Sequence, residues 1–244
     1  MPDILPNEAC SADITTVAET DDFLLINKPP GISVHKDDQD AGLVMLLQSQ
    51  LQLQELYLVH RLDRMTSGLL LLAKRKAVAA ELGRQFAERR MVKFYMALSQ
   101  AKPKKKQGLI SGDMLKARRG SWKLAPSAEN PARTQFFSHG LGGGLRVFLL
   151  RPVTGKTHQL RVALKSIGAP ILGDSRYAGA EAERGFLHAW YLGFELEGKS
   201  YRYSFLPEEA RWRQEDWPAE WAEPEALPWP EIKKQHVKSS KELP

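Results

Sequence analysis

The stretch His60-Arg61-Leu62-Asp63-Arg64-Met65-Thr66-Ser67-Gly68 sets one carboxylate between two guanidinium groups and leads straight into the apolar run Leu69 to Ala73. A run of that length reads as a core strand, so Asp63 stands on the loop at its entrance. Flanking positive charge favours an ionised carboxylate, which can serve as a base, a nucleophile or a metal ligand. The stretch alone leaves these roles open, and a surface loop of ion pairs fits it too.

Working outward, Phe23-Leu24-Leu25-Ile26 reads as a buried strand that stops at Pro29-Pro30-Gly31, with the turn running to His35 and Lys36. Residues 41–51 suit a short helix. From Ala77 to Arg90 the apolar positions Ala77, Ala80, Phe86 and Ala87 recur at helical spacing, leaving Arg84, Glu88 and Arg89 for the wet side. The period then changes. Val92, Phe94, Met96 and Leu98 alternate with Lys93, Tyr95 and Ala97, as in a strand with one buried face, and Tyr95 points away from the apolar stripe.

Gly142-Gly143-Gly144 marks a turn before a strand from Leu145 to Leu150; it lacks the Lys-Ser or Lys-Thr of a phosphate loop and reads as a hairpin. The segment Arg151-Pro152-Val153-Thr154-Gly155-Lys156-Thr157-His158-Gln159-Leu160-Arg161 then enters a helix, with Thr157 as N-cap and Gly168 as the end signal. Leu160, Ala163, Leu164 and Ile167 make its buried face. His158, Arg161 and Lys165 form a separate basic stripe, ordinarily solvent-facing, whose place near a helix N-terminus suits an anion. Ile171 to Tyr177 is a polar loop, and Leu187 onward returns to strand-like sequence. Tyr201, Tyr203 and Phe205 alternate on one face of a late strand and read as sheet packing.

The chain of 244 residues, 43% apolar and 26% charged, has ample material for a core. Its lone cysteine, Cys10, excludes a disulfide framework and a multi-cysteine zinc site within the chain and suits a reducing compartment. An acidic N-terminus and the lack of any bilayer-length apolar block point to a cytoplasmic protein. A net charge of +6 and a pI near 9.3 favour a polyanionic partner. Two basic clusters, Lys102 to Lys106 and Lys116 to Lys123, sit in loop-like stretches suited to phosphates or to plain solvation; Trp122 in the second tilts the balance toward nucleic acid.

Three segments stand together in order: His60-Arg61-Leu62-Asp63 with Thr66-Ser67-Gly68-Leu69, then Lys93-Phe94-Tyr95-Met96-Ala97-Leu98, then Thr154 to Arg161. With Asn27-Lys28-Pro29-Pro30-Gly31, Ile167 to Asp174 and Leu187-His188-Ala189, they resemble the RluA-type pseudouridine synthases over about residues 15–207. The resemblance implies an α+β fold, a mixed and mainly antiparallel sheet flanked by helices and loops around a central cleft. It implies an RNA uridine isomerase that needs no metal or organic cofactor. Asp63 is then the catalytic acid residue acting at the sugar, Tyr95 stacks on the base and helps to move a proton, and Arg161 pairs with Asp63. Substrate-binding positions are His60, Arg61, Thr66, Lys156, His158, Gln159 and the apolar wall Leu187.

Lys156 stands where the family often shows Arg, and Ala163 and Ala169 where His is frequent. The expected layout is an extension over residues 1–14, a catalytic domain over 15–210 without an S4-type module, and a tail over 211–244. In that tail Trp212, Trp217, Trp221 and Trp229 clasp the body. The expected partner is a stem-loop uridine of ribosomal RNA, slightly favoured, or transfer RNA, met by a monomer with no metal and no membrane. Two alternatives stay open: a non-catalytic RNA-binding protein on the same scaffold, and a metal-dependent phosphohydrolase using His60, Asp63, His158 and Asp174, whose spacings match no strong metal signature.

Overall fold

Strand β4 (Ser67–Ala73) is buried along its whole length, as its unbroken apolar run requires of a strand covered on both faces. Around it the computed structural model, which describes residues 14–34 and 42–232, builds a single sheet. Cys10, His35 and Lys36 lie outside the described residues. The other strands are β1 (Thr15–Glu19), β2 (Phe23–Lys28), β3 (Tyr57–Leu58), β5 (Val92–Ser99), β6 (Gln107–Lys116), β7 (Trp122–Ala125), β8 (Pro131–Gly142), β9 (Leu145–Pro152), β10 (Leu187–Leu196) and β11 (Lys199–Ser204). Their order is β1-β2-β4-β10-β5-β9-β8-β6-β7, with β3 added to β4 and β11 to β10. Only β4 and β10 run parallel; every other pair is antiparallel. The expected mixed, mainly antiparallel α+β fold is the observed one.

Three α-helices accompany the sheet among the described residues: α1 (Leu43–Leu51), α2 (Lys76–Ala87) and α3 (Gln159–Ser166). None is long and apolar enough to cross a membrane. Helix α2 forms where its periodicity predicts but buries a different face. Val78, Leu82 and Gln85 point inward while Ala77, Ala80 and Ala87 are exposed, because the larger side chains bury more apolar area. Helix α3 buries the predicted Leu160, Ala163 and Leu164. Its entry residue is His158, not Thr157, and His158 takes a left-handed backbone with φ 57°.

The alternation of strand β5 separates two layers, but both faces are covered where the sequence predicts one. Phe94, Met96 and Leu98 pack with Val147, Leu149, Trp190 and Trp212, whereas Tyr95 and Ala97 face the layer holding Leu160 and Leu164 of α3. Trp212 and Trp221 are buried in the first layer, with Trp217 and Trp229 packed against it. Tyr201 and Tyr203 stack on Phe194, and Phe23 meets Tyr201 edge-on, so these rings serve sheet packing. The triple glycine is the β8–β9 hairpin turn, all three residues at positive φ.

The register of β10 fixes the geometry that matters most. Ala189 pairs with Gly68 of β4 on one side and with Tyr95 of β5 on the other. Gly68 has φ 102°, and a Cβ there would stand 2.3 Å from the Ala189 carbonyl oxygen, so only glycine lets the parallel strands approach.

Candidate active site

The loop carrying Asp63 is clamped from below by the segment that follows β2. Gly31 N–H donates to the Arg64 carbonyl at 2.7 Å, and Arg64 Nε returns a bond of 2.7 Å to the Gly31 carbonyl. Buried Lys28 donates to the carbonyls of Pro29 at 2.7 Å, Ile32 at 3.0 Å and Arg64 at 3.4 Å. Burial pulls its pKa down to about 7, opposed by the charge of Asp63. The turn itself closes through Thr66 N–H on the Asp63 carbonyl at 2.9 Å. These bonds fix the turn while the Asp63 side chain faces the cleft.

Helix α3 brings Arg161 to the same place. Its Nη1 reaches Asp63 Oδ2 at 3.2 Å, and its Nε and Nη2 bind the two oxygens of Asp174 at 2.7 and 2.8 Å. The guanidinium also lies over the Tyr177 ring, 5.0 Å from its centroid. Both Arg161 and Asp174 are buried, so the fork is fixed in one plane by the bidentate contact and aimed by it at Asp63. Asp63 and Asp174, two members of the metal-ligand alternative, thus converge on a guanidinium that fills the space between them.

A cleft of about 380 Å³ opens in front of this pair. Its wall includes all ten residues expected from sequence: Asp63, Tyr95 and Arg161 together with His60, Arg61, Thr66, Lys156, His158, Gln159 and Leu187. Tyr95 is half-buried, and burial together with the nearby Asp63 charge pushes its phenol pKa up, holding the proton. Leu187 is a buried apolar wall, and Thr66 is buried beside it.

Several of the polar residues are committed within the protein. His60 accepts the Leu71 N–H through Nε2 at 2.9 Å and stacks on Phe86 at 4.3 Å, and burial with the Lys93 charge lowers its pKa to about 3. It therefore lines the cleft neutral and offers no charge to a phosphate. Gln159 donates to the Arg133 carbonyl and Thr134 Oγ1, each at 3.0 Å, and accepts from Thr154 Oγ1 at 2.6 Å and Lys156 N–H at 3.0 Å. It braces the loop into α3. Lys156 Nζ is bound by the Asn130 carbonyl, and Arg61 Nη2 donates to Thr157 Oγ1 at 2.7 Å. His158 Nδ1 shares a 2.8 Å bond with the Tyr177 hydroxyl, and its pKa is lowered chiefly by burial.

Three wall or support residues have roles that the sequence reading does not assign, although Lys93 and Asp174 stand within the quoted motifs. Lys93 and Phe86 line the cleft, and Asp174 anchors Arg161 from a loop 13 positions away. Lys93 has a visible signal, since it shares the strand face of Tyr95. The place of Phe86 at the cleft and the hold of Asp174 on Arg161 depend on tertiary contacts that no period encodes.

The chain has relatives in sequence and in fold. Residues 22–166 match the family model described as RNA pseudouridylate synthase. The chain belongs to that family. It is 50% identical over 201 residues to a Haemophilus influenzae protein described as an uncharacterized RNA pseudouridine synthase, covering 82% of this chain and 90% of that one. It is 34% identical to the Escherichia coli dual-specificity RNA pseudouridine synthase RluA, with 71% and 83% covered. Among solved structures, the human RNA pseudouridylate synthase domain containing 1 superposes with a TM-score of 0.69 at 29% identity, over 80% of this chain and 84% of that one. This RluA-type pseudouridine synthase is therefore an isomerase acting on RNA, which removes the non-catalytic alternative.

Proposed function

We propose that the cleft seats one uridine turned out of its RNA and that Asp63 acts on its ribose. The observation that carries this reading is the Asp63–Arg161 contact at the wall of a nucleoside-sized cleft, with the Tyr95 ring on β5, one strand beyond β10. As the glycosidic bond breaks, its electron pair leaves with uracil and the anomeric carbon becomes electron-poor. A carboxylate captures or stabilises that carbon, as carboxylates do in glycoside hydrolysis. Uracil then turns so that carbon 5 meets the anomeric carbon. The new bond forms, the carbon 5 proton departs, nitrogen 1 gains one, and the carboxylate is regenerated. The change is redox-neutral and calls for no cofactor.

Arg161 holds Asp63 toward the sugar, and Asp174 holds Arg161. Tyr95 presents a flat face to the base, and its raised pKa keeps it a proton donor at neutral pH. Leu187 closes the apolar side. Extruding the nucleotide costs a few kcal/mol from a paired stack, which favours a loop uridine. Ribosomal RNA is the favoured substrate and transfer RNA the second; among relatives, one Vibrio parahaemolyticus protein, 31% identical, is described as ribosomal large subunit pseudouridine synthase C. The proposed setting is a cytoplasmic monomer.

Substituting Asp63→Asn keeps the side-chain volume and removes the carboxylate. The expected result is loss of pseudouridine formation with RNA affinity retained; full activity of this variant overturns the assignment. Mapping pseudouridines in total RNA from a strain lacking the gene then identifies the site that disappears.

A further inference from the structure

Beside the cleft lies a second cavity of about 370 Å³, and the two share Lys93 and Pro152 as walls. It opens where β5 begins and β9 ends, and its rim carries Arg89, Arg90 and Arg151. Arg90 is paired with Glu88 at 2.7 Å. Lys93, Arg89 and Arg151 enter no ion pair among the described residues.

Two of these three cations are held against aromatic faces and not by carboxylates. Lys93 stands over the Phe86 ring at 5.5 Å, and burial lowers its pKa. Arg151 lies beside the stacked rings of Phe94 and Trp229, 5.9 and 5.8 Å from their centroids. Glu225, whose charge reaches Arg151, is bound instead to Arg202 at 2.9 Å. A partly desolvated cation without a carboxylate is unfavourable until an anion meets it.

Arg89 adds a backbone argument. Helix α2 closes with Arg90 N–H on the Gln85 carbonyl at 2.9 Å and Arg89 N–H on the Phe86 carbonyl at 3.2 Å, the paired bonds of a Schellman motif. Arg89 fills its left-handed position at φ 60°, where glycine is the least strained residue. The helix end would be served better by glycine, so the guanidinium has another use.

We propose that Lys93, Arg89 and Arg151 form a phosphate track that carries the RNA strand from the cleft across the ends of β5 and β9. The track presupposes the target uridine in the cleft, and its ligand is the ribose-phosphate backbone of the flanking nucleotides. Contacts of this kind position a strand by charge and do not read its bases.

The test uses the full chain and two probes, a short single-stranded oligouridylate and uridine monophosphate, the second filling the cleft alone. Arg89→Gly and Arg151→Gln should each weaken oligouridylate binding roughly threefold. Each should also reduce the salt slope of log affinity by about 0.7. Uridine monophosphate binding should be unchanged in both. Arg89→Gly should melt no lower than the parent, since glycine suits that backbone, and Arg151→Lys should retain the slope, which separates charge from ring packing. An unchanged salt slope in both variants overturns the track, as does a parent protein that binds the oligomer no more tightly than the mononucleotide. A fully active Asp63→Asn enzyme overturns the reading of the cleft instead, and the two failures are distinguishable because the slopes do not depend on the chemical step.

Discussion

The Asp174 carboxylate accepts two hydrogen bonds from Arg161, at 2.7 and 2.8 Å, and is itself almost wholly buried. The tighter partner of the guanidinium is thus a carboxylate outside the cleft, and the contact with Asp63 at 3.2 Å is the looser arm of the same fork. Under the proposed mechanism Asp174 is a positioning residue, two steps removed from the substrate.

Replacing Asp174→Asn should therefore lower kcat by about 100-fold while RNA affinity holds, because a misaimed arginine shifts the reactive carboxylate without removing it. Breaking the buried pair should also lower stability by about 3 kcal/mol. Single-turnover rates and RNA titration on the same folded preparation check both parts. Equal losses in affinity and rate would contradict a positioning role.

The Tyr95 phenol is kept protonated by burial and, second, by the Asp63 charge. The rate profile should consequently show no alkaline fall from this residue below its ordinary pKa of about 10. Tyr95→Phe should leave the profile's shape unchanged over that range, and Tyr95→Ala should lose the stacking surface and most of the activity. A new basic limb at neutral pH in the parent, absent from Tyr95→Phe, would contradict this.

His188 ties β4 to β10: Nδ1 meets Ser67 Oγ at 2.8 Å and Nε2 meets the Phe205 carbonyl at 2.8 Å. Burial lowers its pKa from 6.5 to about 4. The unfolded chain binds the extra proton first, so stability is full above pH 6.5 and declines as pH falls toward about 4. Denaturant melts across that window should show the decline, on the order of 3 kcal/mol from this group. The corresponding slope should shrink in His188→Gln.

Gly68→Ala places a methyl group 2.3 Å from the Ala189 carbonyl oxygen at a φ of 102°. Loss of at least about 3 kcal/mol is expected, combining backbone strain with a displaced strand pair. Thermal melting gives the measurement, and a melting point equal to the parent's would contradict the register at Ala189.

Much of this architecture is legible in the chain because local chemistry and tertiary need agree. The all-apolar β4, the alternation of β5 and the triple-glycine hairpin each carry one period or one turn signal. The face of α2 is misread because alanines at helical spacing mimic a buried stripe, while Val78 and Leu82 win the interior by size. Strands β6 and β8 leave weaker traces: β6 holds two glycines and ends in a basic cluster, and its pairing with β8 is what makes it a strand. Within the site, motif residues gather around one cleft as spacing alone does not require. The commitment of Gln159 to the backbone and the hold of Asp174 on Arg161 join segments whose contact no period encodes.

Ala189 stands in register with both Gly68 and Tyr95, so the Asp63 loop and the aromatic ring are aligned through a strand made late in the chain. During synthesis the earlier segments leave the ribosome first. A nascent chain stopped short of β10 has its motifs already translated but no partner to hold them side by side. Enzyme activity is then the last property the growing polypeptide acquires, and a truncation before residue 189 would release a protein rich in motif residues and devoid of turnover.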